Sequence, residues 1–157
     1  MHASNIAEIY LTMGGRMKAQ QASKVIDAAL EHARAQGCPP MTVAVLDAGG
    51  HLVAFLREDG SSLYRERIAR GKAAGALGMG VGSRTLAKVA ADRPAFIEAV
   101  VTATQGGLVP APGGVLVLDA DGGVIGAVGV SGHLPDVDEE CAVAGILAAG
   151  FRAEPGA

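Results

Sequence analysis

Tryptophan is absent, and phenylalanine and tyrosine supply only 3% of the 157 residues. A core cannot be built on large rings here. It has to come from Ala, Val, Leu and Ile, with helices and sheet lying close together. The 13 basic and 16 acidic side chains leave a net charge of −3, with no Lys/Arg run and no aromatic ladder. That excludes the basic, base-stacking surface of a nucleic-acid binder. No apolar stretch approaches the ~20 residues that a membrane-spanning helix needs. The opening MHASNIAEIYLTMGGRM lacks the basic-then-apolar order of a secretion signal, so a cytoplasmic location is expected. The two cysteines, Cys38 and Cys141, lie far apart and form no CxxC. They read as buried, reduced thiols rather than a disulfide framework or a zinc site.

What is present is one domain's worth of periodic sequence. Residues 16–150 are expected to form a single domain, with an arm over 1–15 and a tail over 151–157. Ala22, Val25, Ile26, Ala29, Leu30 and Ala33 recur at helical spacing over residues 16–36, and Gly37 and Pro39 end that helix. Met41–Leu46 and His51–Arg57 read as strands joined by the turn Asp47-Ala48-Gly49-Gly50, hence a hairpin. Ser61 or Ser62 is placed to cap a helix over 63–77, and Ser83 one over 85–90. Asp92 and Pro94 then start another helix. Val115–Leu118 and Val124–Val130 flank an Asp-Gly turn and form a second hairpin. Asp136, with Glu139 three residues on, has the spacing of a capping box for a last helix over 137–149. The fold class is therefore α/β: an antiparallel sheet of about five strands, built from two hairpins and flanked by helices. Four strands are legible. A fifth would come from the segment near Leu108–Pro112 or from the N-terminal arm.

Many of the 23 glycines lie in two clusters, over 71–82 and 106–132. In the second, Gly106, Gly107, Pro110, Gly113 and Gly114 suggest a loop whose backbone approaches a ligand closely and whose free N–H groups bind an anion. The strand that ends at Ser131, Gly132 and His133 is made of small residues, against which a backbone or a flat ligand can lie. Together these residues are expected to wall a small-ligand pocket. Ser131 has no nucleophile elbow around it. His133, Asp136 and Asp138 lack the ligand spacing of a zinc site, so no metal site is assigned. Lys72 and Arg84 flank a glycine break and are each able to meet a carboxylate. If the protein is an enzyme, Lys72 or Asp138 is the base and Arg84 the carboxylate clamp, acting as an isomerase or lyase on an organic acid.

Val43-Ala-Val-Leu-Asp47, Gly50-His-Leu-Val-Ala-Phe-Leu-Arg57, Ile68-Ala-Arg-Gly-Lys-Ala73, Ser83-Arg84, Gly113-Gly114, Val124 to Gly132 and Asp138-Glu-Glu-Cys-Ala142 occur in an order that resembles one family. It is the GlcG/HbpS-like group, also called DUF336, which includes the C-terminal domain of PduO-type proteins. The resemblance covers about residues 16–150. It implies a five-stranded antiparallel sheet with helices, assembly into homo-oligomers built on dimers and reaching octamers, and haem or a similar flat anionic molecule as ligand. His32, His51, His133 and Tyr64 are axial-ligand candidates by chemistry alone. The stretch Met13-Gly-Gly-Arg16 and the absence of an export signal set this chain apart from that pattern. A subunit of a larger complex is the remaining reading.

Overall fold

The computed structural model describes residues 17–157. The arm over 1–15 and the Met13-Gly-Gly-Arg16 stretch lie outside the described residues. Five helices and five strands follow in order: α1 (Ala19–Ala35), β1 (Thr42–Asp47), β2 (Leu52–Arg57), α2 (Arg65–Met79), α3 (Ser83–Asp92), α4 (Pro94–Ala103), β3 (Gly114–Leu118), β4 (Val124–Ser131), α5 (Pro135–Ala148) and β5 (Arg152–Glu154). The sheet is antiparallel in the order β2-β1-β4-β3-β5. Both expected hairpins form, and β1 pairs with β4 to join them.

The two sheet faces bury different side chains because a strand alternates. Val43, Val45, Val115, Val117, Val128 and Val130 face α1 and α5, where Val25, Ala29, Cys141 and Ile146 meet them. Leu46, Leu116 and Ala127 face α2, packing on Ala73 and Ala76. A third cluster of Leu86, Ile97 and Leu108 lies under α3 and α4. The scarcity of aromatic residues is resolved by close approach. A Cβ on Gly129 would collide with the carbonyl of Ala69, so β4 and α2 touch backbone to backbone.

Several local expectations are corrected. The fifth strand does not come from Leu108–Pro112; it is β5, from the expected tail, paired through Leu116, Val117 and Leu118, and the arm, the other expected source, lies outside the described residues. Pro110 and Pro112 carry no N–H for a ladder. Val109 instead donates its N–H to the Gly71 carbonyl of α2. Ser61 does not cap α2, because its hydroxyl pairs with that of Thr42 at 2.8 Å. Ser83 is the first residue of α3 rather than its cap, and its Oγ accepts the Gly114 N–H at 2.7 Å. Asp136 and Glu139 form no capping box either; α5 is preceded by Leu134, and both acids bind Arg84. In each case a long-range partner outcompetes the local one.

Candidate functional site

The glycine-rich residues do not converge on one pocket. The hairpin proper is 114–131, and residues 106–113 are its lead-in. The small-residue face of β4 is covered by α2, and Ser131 and Gly132 are buried. What lies against this strand is the chain's own backbone.

Lys72, Gly113, Gly114, Ser131, Gly132, His133 and Asp138 do come together at one end of the sheet, as a closed polar node. The β3–β4 ladder stops where Gly113 turns away at φ +117. Val130 still donates its N–H to the Gly113 carbonyl. The Val130 carbonyl has no strand partner left, and the Lys72 ammonium takes it at 3.0 Å. The same ammonium donates to Asp138 Oδ2 at 2.9 Å, while Asp138 Oδ1 accepts the His133 N–H at 2.8 Å. The side chains of Lys72 and Asp138 are only 3% and 1% exposed. Burial is the larger influence on both, drawing Lys72 below the usual lysine range and Asp138 above the usual carboxylate range, while their mutual attraction pulls each the other way. Beside the node, Arg65 donates to Ser131 Oγ at 3.1 Å. Arg84 is held by Glu139 and, at 2.6 Å, by Asp136, and these bonds raise its pKa further. Its Nε and Nη2 are therefore engaged within the chain.

Gly106 and Gly107 lie elsewhere. With Arg67, Arg70, Gly71 and Gln105 they line an open cleft of about 460 Å³ beside α2. The Gly106 and Gly107 N–H groups bond to the carbonyls of Val101 and Thr104, so they are not the anion donors expected of them. Pro110 is half-buried between the two places and is not among the cleft's lining residues.

A second open cleft, of about 580 Å³, lies where the end of α1 meets β2. Arg34, Cys38, Pro40, Leu56, Arg57, Glu58 and Asp59 line it. Arg34 pairs with Glu58 at 3.0 Å, and Arg57 donates to the Ser61 carbonyl at 2.8 Å. Cys38 is a free thiol, half-buried at the edge of the main core. The expectation that both thiols are buried is thus corrected at Cys38 and holds at Cys141. α1 stops at Gly37, at φ 68, where the Gly37 and Cys38 N–H groups bond to the carbonyls of Arg34 and Ala33, and this leaves Cys38 at the helix end.

The four axial-ligand candidates are scattered. His51 is 82% exposed, with Nδ1 3.3 Å from Asp47 Oδ1, an arrangement that leaves Nε2 open. His133 Nδ1 accepts the Leu134 N–H at 2.7 Å, which puts the ring proton on Nε2 and turns that atom from a ligand into a donor. His32 Nε2, on the last turn of α1, is buried with no hydrogen-bond partner among the described residues. Tyr64 is exposed ahead of α2. Among the described residues no cluster of three His, Cys, Asp or Glu is placed to hold a metal ion, and no helix is long and apolar enough to cross a membrane.

The family model described as "Haem degrading protein HbpS-like" matches residues 17–147. Among solved structures, a complex of PduOC with haem aligns with a TM-score of 0.77 at 26% identity, covering 86% of this chain and 96% of that one. HbpS aligns with a TM-score of 0.71 at 29% identity, covering 83% and 88%. The Klebsiella pneumoniae DUF336 protein ORFY shares the fold, with a TM-score of 0.76 at 21% identity over 85% and 90% of the two chains. No curated protein matches the sequence.

Proposed function

The chain belongs to the HbpS-like family, and from that premise we propose that it binds haem or a closely similar flat, carboxylate-bearing tetrapyrrole. The observation that carries the reading is the composition of the cleft at the end of α1. There a thiol, Cys38, and two guanidinium groups, Arg34 and Arg57, share the lining with Leu56 and Pro40 as apolar surface and with the acids Glu58 and Asp59. A cysteine thiolate is an established haem-iron ligand. Arginine forks suit the propionate groups, and a cleft of about 580 Å³ is in the range of small-molecule sites. The residues present would hold the group in exchange for their present partners: Cys38 would turn its thiol from Cys141 to the iron, Arg34 and Arg57 would take the carboxylates in place of Glu58 and the Ser61 carbonyl, and Leu56 and Pro40 would meet the ring. Bound haem would supply iron-centred redox chemistry. The chain's own part is to orient it and shield one face from water.

The glycines at 113, 114 and 132, with Ser131 and His133, act in this reading as framework. They shape the node that fixes β4 and α5, and α5 in turn packs on α1, whose end carries Arg34 and Cys38. Catalysis by Lys72, Arg84 and Asp138 has less support, because each of these side chains is already committed to a partner within the fold. Self-assembly is part of the proposal. Leu52, Phe55 and Leu56 are exposed on the edge strand β2, and their register partners Leu46, Ala44 and Val43 alternate between the two sheet faces.

Titration of the purified chain with hemin tests the reading. A saturable shift of the Soret band is expected, with Cys38→Ser moving the band and weakening binding by about tenfold or more. No saturable change in the Soret region would overturn it. Native mass spectrometry of the same samples reports the assembly and any retained ligand.

A further inference from the structure

The arginine-lined cleft on α2 is separate from the Cys38 cleft and shares no lining residue with it. We propose that it is a second binding site, for a small organic oxyanion bearing one carboxylate or phosphate group.

Three independent features meet there. The first is charge. Arg70 is paired with Glu66 at 2.9 Å, whereas Arg67 has no carboxylate partner among the described residues. Two guanidinium groups against one carboxylate leave one positive charge facing an open space of about 460 Å³. The second is strain. Gln105, at φ 55, is the only non-glycine residue with positive φ among those described. A long side chain in that conformation costs energy that glycine would not. Gln105 is followed by Gly106 at φ 80, which closes the end of α4, so the turn itself would be made equally well by two glycines. What glutamine adds is an amide at the cleft wall, a donor and an acceptor able to read a ligand's polar body. The third is shape. Gly71, Ala74, Gly106 and Gly107 keep the walls low, so a ligand can lie against the helix between Arg67 and Gln105. The backbone does not supply the anion contacts, because both glycine N–H groups are spent on Val101 and Thr104. Side chains must do it, and the one surplus charge selects a ligand with a single anionic group rather than a polyanion.

The test is chemical-shift perturbation of the isotope-labelled full chain by two probes, inorganic phosphate and lactate. Saturable shifts are expected at amides of residues 66–74 and 105–107 with at least one probe, at concentrations up to about 20 mM. Arg67→Ala should weaken them by about tenfold. Gln105→Gly should raise the melting temperature by about 2–4 °C and yet weaken binding, a pairing that a purely structural glutamine would not give. Response to phosphate alone, to lactate alone or to both assigns the ligand to phosphate esters, carboxylates or the shared oxyanion class. No saturable shift with either probe, or shifts that Arg67→Ala leaves unchanged, overturns the proposal. Hemin binding should be the same in Arg67→Ala as in the parent chain, so failure here and failure of the haem reading are distinguishable.

Discussion

Lys72 and Asp138 meet at 2.9 Å, although they belong to helices on opposite faces of the sheet. Contact is open to them because Gly113, just before β3, and Gly114, its first residue, have no side chains, leaving a gap at the sheet's end through which the lysine reaches. The pair links α2, β4 and α5, and through the His133 N–H it also sets the loop before α5.

Removing one partner leaves the other charge buried and uncompensated. Asp138→Asn is expected to cost about 3–5 kcal/mol of stability. The double variant Lys72→Met, Asp138→Leu should recover most of that loss, since an apolar pair needs no counter-charge. Urea unfolding of the three chains checks both values. Equal losses in the single and double variants would mean that the node is held by something other than the charge pair.

Gly113 and Gly80 both adopt positive φ, at +117 and +71. A Cβ at Gly80 meets nothing within 4 Å, whereas one at Gly113 would lie 2.9 Å from the Val130 carbonyl and 3.0 Å from Lys72 Nζ. Gly80→Ala should cost about 1 kcal/mol through backbone strain alone. Gly113→Ala should cost about 2–3 kcal/mol, because the lysine must also move. Thermal melts of the two variants side by side measure the difference.

Burial pushes the Cys141 thiol up to about 12, from an ordinary 9.0. In the folded chain it keeps its proton at a pH where the unfolded chain has lost it. Its contribution to stability is therefore complete below pH 9.0 and declines as pH rises toward about 12. Cys141→Ala should flatten the fall in stability over that alkaline window. At pH near 8, iodoacetamide should modify Cys38, at the cleft edge, and spare Cys141 until urea is added. Mass spectrometry of the alkylated peptides reads the order, and saturating hemin should protect Cys38.

Arg84 binds two carboxylates, but about a third of its side chain remains exposed, at 34%. Solvent and salt screen such a cluster. Arg84→Lys should cost no more than about 1 kcal/mol, less still in high salt, and should leave hemin binding unchanged. A loss as large as that of Asp138→Asn would assign Arg84 a larger part in holding α3 to α5.

Much of the fold was legible from short-range patterns. The apolar spacing of Ala22 to Ala33 marked α1, and the turn residues at 47–50 with the Asp-Gly turn at 119–123 marked both hairpins. Strand β5 was illegible. Its three residues, Arg152, Ala153 and Glu154, carry no β-branched or alternating signal, and they are a strand only because β3 has a free edge beside them. The capping serines and the Asp136/Glu139 box were misjudged for the same reason. Each has a plausible local use, and each was claimed by a partner 19 to 55 residues away.

The sequence by itself determined the order of the helices and hairpins over the described residues, the small-residue core and the glycine positions, because propensity, periodicity and turn chemistry act between near neighbours. It also carried the family likeness. The tertiary structure alone decided which glycines face a helix and which face a cleft, and it turned Lys72 and Asp138 inward. It also placed Cys38, Arg34 and Arg57 around one cleft, and Gln105 and Arg67 around another. Those decisions depend on burial and on charge pairing between distant segments, which come into being only when the sheet closes against its helices.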